Sequence, residues 1–417
     1  MNYRAIRDPL WKHIFIPEAL ADALSSADFI RLSRIRQLGP TELVYPGATH
    51  TRAGHSLGVY GIARTMLEIL ERRGAAEWIT PQGKMSWYAA ALFHDIGHFP
   101  YTHSLKELPL EEHEALSAAI VLKPEIAECI EKAGGNPEQT AAIIDKQRST
   151  DNRETLFYRK LLSGVLDPDK LDYLNRDAYY CGVPYGIQDT EYTLDQLYPD
   201  IHRGIVLSGN AIVSVENLLF SKYLMYRSVY WHKQVRIATA MMKKAVYAAL
   251  SQKLIQPEDL YQQDDEGIHR LLESVAQNPV TKNQFPEITC SKGVRTRELF
   301  TVVAEIPFDV SNPLHFSLQD LGQRVSAERQ IAEEAGIGYE NFLIDIPEPI
   351  SFESDLWIYD EEKPFSHSST VFSPETVASF TGSLRKIRCA VKSDMNNKVL
   401  YKKIESFFNM SYNQVKE

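Results

Sequence analysis

Helical spacing of apolar residues, from about residue 17 to residue 250, is the sequence feature that most limits the fold. Apolar side chains there recur three and four residues apart, as on the buried face of an amphipathic helix. Runs of alternating β-branched residues, which would indicate strands, are few in this stretch. The pattern predicts a helical domain over residues 1–290.

After about residue 290 the pattern changes to short β-type runs bounded by turn residues. These runs are ELFTVVAEIPF, ENFLIDIPEP, DLWIYDEE and RKIRCAVKSD. Helical patterns near 317 to 335 and 398 to 409 accompany them. We therefore predict a mainly α protein with a smaller C-terminal α+β lobe over residues 291–417.

The 417 residues carry a formal net charge of −10. A surface of this charge lacks the basic footprint that polymeric nucleic acid requires, which argues against DNA or RNA as the main partner. A few cations focused in one cleft can still bind a small anionic substrate. No apolar run approaches the roughly 18 residues that span a bilayer, so we predict a cytoplasmic protein without a membrane partner.

Two predicted helices carry histidines at their ends. In TPQGKMSWYAAALFHDIGH, Thr80 can cap the helix and Pro81 suits its first position. The pair His94 and Asp95 therefore falls at the C-terminal end of a mostly buried helix. His55 opens the second helix, HSLGVYGIARTMLEILERR, whose apolar residues recur at helical spacing.

A third predicted helix, DPDKLDYLNRDAYYCG, has polar residues along one face. Asp169, Tyr173 and Asp177 follow one another at intervals of four, which aligns them on the helix surface. Three polar groups in such a row point either into a site or out to solvent.

Together, His55, His94, Asp95 and Asp169 would supply two imidazole nitrogens and two carboxylates. That set suits a divalent ion such as Mn, Fe, Ni, Co, Zn or Mg, and it differs from the thiolate ligands that structural zinc prefers. Such an ion would leave positions for water and a phosphate oxygen, which indicates phosphoester hydrolysis. Taken singly, each histidine could equally be a hydrogen-bonded core residue.

At these motifs the chain resembles the HD-domain deoxynucleoside triphosphate triphosphohydrolases. The resemblance begins at IRDPLWKHIFI, continues more weakly into the C-terminal lobe, and is carried by five segments. They are FIRLSRIRQLGPTELVYPGATHTRAGHSLGVYGIA, ALFHDIGHFPYTHSL, LEEHE, LDPDKLDYLNRDAYYCGV and SVYWHK. The resemblance implies an HD-domain helical core, cleavage of a deoxynucleoside triphosphate (dNTP) to deoxynucleoside and triphosphate, and assembly as a homo-dimer or tetramer.

The same resemblance implies roles for individual residues. The family's metal ligands fall on His55, His94, Asp95 and Asp169. Its catalytic residues fall on His98, His103, His113 and Glu114. Its substrate contacts fall on Gln37, Arg52, Lys170, Tyr173, Asp177, Lys222 and Tyr230.

Within the substrate set, the resemblance implies that Arg52, Lys170 and Lys222 contact the phosphates, because a triphosphate needs cationic donors. It implies that Gln37 and Asp177 hydrogen-bond the sugar hydroxyl, and that Tyr230 packs on the sugar or base. Both His98 and His103 could instead orient a metal ligand without touching the substrate.

Three residues depart from the family's pattern. Lys222 stands where the best-studied relatives carry Arg, Trp231 where a Gln reads the base, and Lys106 where some relatives carry Asp. Two other functions stay open: a phosphatase or phosphodiesterase acting on another nucleotide, and a nucleotide-binding regulatory protein with reduced catalysis. The number of predicted phosphate cations favours a triphosphate substrate.

Overall fold

The structure, a computed structural model, describes residues 2–278, 284–350, 356–395 and 398–409. The chain begins with a β-hairpin of β1 (Tyr3–Asp8) and β2 (Lys12–Pro17). The two strands pair antiparallel and leave most of their side chains exposed. The helical sequence pattern did not indicate this hairpin.

Helices dominate the chain from the end of the hairpin to residue 296. The first ten are α1 (Glu18–Asp22), α2 (Ala27–Leu32), α3 (Arg52–Arg72), α4 (Pro81–Phe93), α5 (His113–Val121), α6 (Pro124–Lys132), α7 (Pro137–Ile144), α8 (Arg153–Leu162), α9 (Pro168–Cys181) and α10 (Thr190–Asp195). The next are α11 (Ile212–Met225), α12 (Lys233–Ser251), α13 (Pro257–Tyr261), α14 (Asp265–Gln277) and α15 (Cys290–Thr296). Their apolar faces build the core, in which Tyr60, Trp87 and Phe157 are fully buried.

Side-chain caps begin the three helices that carry the predicted metal ligands. Thr51, Thr80 and Asp167 cap α3, α4 and α9 by accepting a hydrogen bond from a backbone N–H of the first turn. His55 lies one turn into α3. Because α4 ends at Phe93, the His-Asp pair follows it directly, as the sequence predicted.

The strands described after the hairpin form two further sheets. They are β3 (Leu197–Asp200), β4 (Gly204–Leu207), β5 (Thr301–Pro307), β6 (Phe342–Asp345), β7 (Trp357–Ile358), β8 (Lys363–Pro364) and β9 (Lys386–Val391). One sheet has the order β3-β4-β7-β8 and the other the order β5-β9-β6. The helical interpretation of residues 17–250 missed β3 and β4.

The C-terminal sheet carries helices on its surface. The last helices are α16 (Pro313–Ser317), α17 (Leu321–Ala335), α18 (Pro374–Leu384) and α19 (Lys398–Phe408). Ile331 of α17 and Ile404 of α19 pack with Ile344 and Cys389 of the sheet in one hydrophobic cluster. The predicted mainly α fold with a C-terminal α+β part is confirmed.

Part of the C-terminal segment packs against the helical core instead of the C-terminal sheet. Ile358 pairs in parallel with Leu207 of β4, and Phe365 and Phe372 are buried in the large core. The division of the chain at residue 290 therefore stays a prediction. Across the residues that the structure describes, no helix is both long and apolar enough to cross a membrane.

Candidate active site

The four predicted metal ligands meet between α3, the end of α4 and the start of α9. His55 Nε2 lies 2.9 Å from Asp169 Oδ1, and His94 Nε2 lies 3.3 Å from Asp95 Oδ1. His94 Nε2 is also 4.0 Å from the same Asp169 oxygen. Within the described residues the buried His94 Nε2 makes no hydrogen bond. Converging imidazole and carboxylate donors, one of them unpaired, fit a divalent ion.

The groups around this point keep Asp95 and Asp169 ionised. Burial opposes ionisation of Asp169, but the interactions with His55 and His94 together outweigh burial and lower the pKa of Asp169 to about 2. Burial also opposes ionisation of Asp95, yet His98, His94 and Arg52 together hold its pKa well below the usual value. Ionised carboxylates are the form that binds a cation.

The three histidines predicted as catalytic cluster beside Asp95. The His98 ring stacks on His113 with centroids 3.9 Å apart, and His103 lies 4.8 Å from His98. His98 Nε2 is 3.2 Å from Asp95 Oδ1, although neither ring nitrogen of His98 makes a hydrogen bond with a described residue. Burial, reinforced by the Arg52 cation, lowers the pKa of His98 and His103 well below the usual value. Both rings are therefore neutral at physiological pH.

The predicted catalytic carboxylate, Glu114, is adjacent to this cluster. Its Oε2 lies 3.1 Å from His113 Nδ1, and it lines the same cavity as the histidines. Burial lowers the pKa of His113 even though Asp95 and Glu114 act in the opposite direction. The geometry of this approach is not that of a hydrogen bond, since His113 Nδ1 makes none with any described residue.

A cavity of about 880 Å³ opens from the metal ligands toward residues 346–350, just beyond β6. Sites for small organic ligands commonly have this size, which suffices for a nucleotide. The predicted residues that line it are Gln37, Arg52, His94, Asp95, His98, His103, His113, Glu114, Asp169, Lys170, Tyr173, Asp177 and Tyr230. Most of the predicted site is thus brought together in one space.

Two predicted residues lie outside this lining. His55 is only 1% exposed and reaches the cavity through its contact with Asp169. Lys222 is buried on α11 and is not among the described residues that line the cavity. Its role as a phosphate contact stays a prediction.

Two predicted phosphate cations line the cavity, each held by a carboxylate. Arg52 donates from a terminal nitrogen to Asp95 Oδ2 at 2.7 Å. Lys170 Nζ donates to Asp167 Oδ2 at 2.6 Å and to the Gly164 carbonyl at 2.8 Å. These hydrogen bonds hold the charged groups of Arg52 and Lys170 at fixed positions relative to the metal ligands.

The predicted sugar-contacting carboxylate, Asp177, is anchored from two sides. Tyr230 donates its hydroxyl to Asp177 Oδ2 at 2.7 Å, and His50 Nε2 lies 2.8 Å from Oδ1. Gln37 Oε1 is buried in the cavity wall without a hydrogen bond to any described residue. Sequence reasoning missed His50, although a histidine two residues before Arg52 in THTRAGH was a usable signal.

Behind His55 stands a carboxylate that sequence reasoning also missed. Asp172 is fully buried on α9, and His55 Nδ1 lies 2.8 Å from its Oδ2. A carboxylate in this position fixes the tautomer and the orientation of a histidine ligand, leaving Nε2 for the ion. The usable signal was an acidic residue one helical turn after Asp169.

Apolar residues also contribute to the cavity lining. Trp231 lines the cavity with Tyr226, Val235, Ile346 and Ile350. A ring stacked there would meet aromatic and aliphatic surfaces. Lys106, the third departure from the family pattern, lines the cavity near His103 instead.

Two family profiles match the chain. The HD-domain profile matches residues 52–170, which contain all four predicted metal ligands, and the profile of the HD associated region matches residues 196–371. A phosphohydrolase structure from Bacteroides thetaiotaomicron superimposes with a TM-score of 0.71 over 94% of this chain and 100% of its own, at 24% identity. That likeness shows a shared fold.

Three relatives show the extent of the sequence similarity. Protein YwfO of Bacillus subtilis is 35% identical over 59% of this chain and 56% of its own length, so the match spans little more than half of that relative. A protein of Methanocaldococcus jannaschii is 31% identical over 86% of this chain and 72% of its own. A deoxynucleoside triphosphate triphosphohydrolase homologue from Dictyostelium discoideum is 22% identical over 87% of this chain and 73% of its own.

Proposed function

Since this chain belongs to the HD-domain family of dNTPase-like phosphohydrolases, we propose that it hydrolyses dNTPs to deoxynucleoside and triphosphate. One observation carries the proposal: three of the four metal-ligand candidates, two of the predicted phosphate cations and the residues predicted to contact the sugar line a single cavity of nucleotide size. The Dictyostelium relative, which is named for this activity, supports the same substrate class.

His55, His94, Asp95 and Asp169 would hold the metal ion. When bound, a divalent ion supplies Lewis acidity that polarises a phosphoryl oxygen. The chain's own contribution is to hold the two carboxylates ionised and the His94 Nε2 atom unpaired.

The substrate would lie along the cavity with its phosphates near the metal ligands. Arg52 and Lys170 would contact the phosphates, with the Tyr173 hydroxyl as a neutral donor. Asp177 and Gln37 would accept and donate hydrogen bonds at the sugar hydroxyl. The ring of Tyr230, fixed by its bond to Asp177, would leave no room for a ribose 2′-hydroxyl, which favours a deoxy sugar.

In the reaction, the oxygen of a water molecule bonds to the α-phosphorus while the bond from that phosphorus to the 5′-oxygen breaks. The neutral imidazoles beside Asp95 can orient this water and accept its proton. His113, whose Nδ1 lies 3.1 Å from Glu114 Oε2, can return a proton to the departing 5′-oxygen. The products are the deoxynucleoside and the intact triphosphate.

Product analysis tests this proposal. The metal-stripped protein is supplied with Mn²⁺, Co²⁺, Ni²⁺, Fe²⁺, Zn²⁺ or Mg²⁺ in turn and incubated with each of the four dNTPs, singly and in mixtures. Anion-exchange chromatography then separates triphosphate from orthophosphate and pyrophosphate. Mixtures are included because an enzyme that requires one nucleotide as activator shows no turnover when another nucleotide is supplied alone.

The two alternatives give different products. Release of orthophosphate, or cleavage of a nucleoside monophosphate or cyclic nucleotide in place of dNTPs, would indicate another phosphoester hydrolase on this scaffold. Nucleotide binding with no product under any metal would indicate a regulatory protein. The complete set of four metal-ligand candidates argues against that second alternative.

A further inference from the structure

The tip of the N-terminal hairpin reaches the back of the candidate metal site. Asp8, at the end of β1, is buried although most of the hairpin is exposed. Its Oδ1 accepts from the backbone N–H groups of Leu10 and Trp11, each at 2.9 Å, which closes the turn. Its Oδ2 accepts from Arg176 on α9 at 2.9 Å.

Arg176 connects this tip to Asp172, the carboxylate behind His55. It donates from Nε to Asp172 Oδ2 and from a terminal nitrogen to Asp172 Oδ1, both at 2.8 Å. Trp11 Nε1 donates to Asp172 Oδ1 as well, at 2.5 Å. Both oxygens of Asp172 are thus fixed by donors, and its Oδ2 also contacts His55 Nδ1.

The neighbouring helix leaves room for this arrangement. Gly58 lies one turn after His55 on α3, where a Cβ atom would come within 1.9 Å of Asp172 Oδ1 and 2.4 Å of an Arg176 nitrogen. Any larger residue at this position would push the pair away from α3. The glycine in HSLGVYG therefore serves the contact between α3 and α9.

We infer that Asp8 and Trp11 are positioning residues of the metal centre. Asp8 acts on Asp172 through Arg176 and Trp11 acts on Asp172 directly, and Asp172 fixes the His55 ring. A histidine ligand binds well when its second nitrogen is held by an oriented carboxylate. Here the orientation of that carboxylate depends on donors from a hairpin whose strands pair only with each other in the described sheets. The inference rests on the metal centre of the proposed function and is independent of the substrate.

Metal binding without nucleotide tests this inference. Calorimetric titration of the metal-stripped full chain with Mn²⁺ measures the Kd of wild type and of Asp8→Asn, which keeps the side-chain shape and removes the charge. We expect Asp8→Asn to bind Mn²⁺ about 10-fold more weakly, at the lower end of the effects of groups that orient metal ligands. Asp172→Asn, one bond closer to His55, should weaken binding further.

Asp22→Asn is the matched control. Asp22 accepts a 2.8 Å hydrogen bond from Arg4 of β1, so this variant also loses a hairpin ion pair, but an exposed one that does not reach Asp172. Its Kd for Mn²⁺ should equal that of wild type. If Asp8→Asn fails to fold, Trp11→Phe takes its place, since it keeps an aromatic ring and removes the Nε1–H donor together with part of the indole. We expect about 3-fold weaker binding there.

Each outcome decides the question. Folded Asp8→Asn or Trp11→Phe protein that binds Mn²⁺ as tightly as Asp22→Asn would overturn the inference, even if its melting temperature were lower. A wild-type chain that binds no Mn²⁺ at this site would overturn it together with the metal centre. Wild-type protein that binds Mn²⁺ but releases no triphosphate from dNTPs would reject the proposed substrate alone and leave this inference to the variants.

Discussion

Buried carboxylates in and around the cavity have pKa shifts of opposite sign. At the metal end, imidazoles and Arg52 surround Asp95 and Asp169, and the pKa of each falls despite burial. Outside the cavity lining, Asp265 accepts a backbone hydrogen bond from Arg36, but burial outweighs it and raises the pKa of Asp265 to about 6. The sign of the pKa shift therefore follows from the donors that face a buried carboxylate, since burial alone always favours the neutral form.

Among the predicted variants, Asp95→Ala should have the largest effect on the metal site. This change removes a ligand candidate and leaves Arg52 and His98 without their shared partner, so we expect loss of bound metal and a fall of turnover to background. Elemental analysis of the purified protein and triphosphate release measure the two effects. Asp195→Ala removes an exposed carboxylate that pairs with Arg73 and serves as control. Full turnover in Asp95→Ala would refute the metal assignment.

A pair of lysine variants tests which of the two lysines contacts the phosphates of the substrate. Lys170→Met removes a cation that lines it, so the KM for dNTP should rise about 10- to 100-fold, as for a lost charged hydrogen bond. Lys222→Met removes a buried cation outside the described lining; if Lys222 contacts the phosphates as predicted, the KM should rise to a similar extent, and a change of about 3-fold or less would argue against that contact. Equal effects of the two variants would show that Lys222 reaches the phosphates.

The sugar end is tested by Tyr230→Phe. Loss of the hydroxyl frees Asp177 from one of its two anchors, so the KM for dNTP should rise about 5- to 10-fold while metal binding stays unchanged. Tyr45→Phe is the matched control, because it removes a hydroxyl bonded to the Ser228 carbonyl outside the cavity lining. An unchanged KM in Tyr230→Phe would contradict the sugar contact at Asp177.

The smallest predicted effect concerns stability and pH. Folding raises the pKa of Asp265 from 3.8 to about 6, so the folded chain holds this proton more tightly. Its contribution to stability is full at low pH and is lost as pH rises from about 4 to about 6. Asp265→Asn removes the ionisable group and with it this loss of stability. The free energy of unfolding should therefore rise by about 1–2 kcal/mol at neutral pH and stay unchanged near pH 4.

The neighbouring residue supplies the control of opposite sign. Burial of Asp264 is outweighed by bonds from Arg34 and from the Gly267 N–H, which lower its pKa. Its stabilisation is present above its unfolded pKa and is lost as pH falls through the folded pKa, so Asp264→Asn should destabilise at neutral pH. Urea unfolding of both variants at about pH 4.5 and about pH 7 measures this. Shifts of the same sign would contradict the two assignments.

Local rules made much of the metal end predictable. The Thr80 cap places the end of α4 at the His-Asp pair, and the spacing of four places Asp169, Tyr173 and Asp177 on one side of α9. Caps and helical periodicity depend on residues only a few positions apart. The meeting of these elements with α3 was expected from the donor types and from the family resemblance, and the structure brings them together.

Other contacts depend on residues far apart in the sequence. Arg176 bonds Asp8 across 168 positions, and His50 reaches Asp177 across 127. The cavity lining joins Trp231 to Ile346 and Ile350, and β7 pairs with β4 instead of the C-terminal sheet. No local pattern encodes such pairings.

The sequence by itself determined the helical body, the C-terminal α+β character and the residue types of a metal site. Each of these follows from short-range periodicity, capping and donor chemistry. Only the tertiary structure decided which charges are paired, which hydroxyls anchor Asp177, and that the hairpin stands behind His55. The reason is physical: burial and pairing depend on what every neighbouring element presents, and those neighbours meet only when the chain has folded.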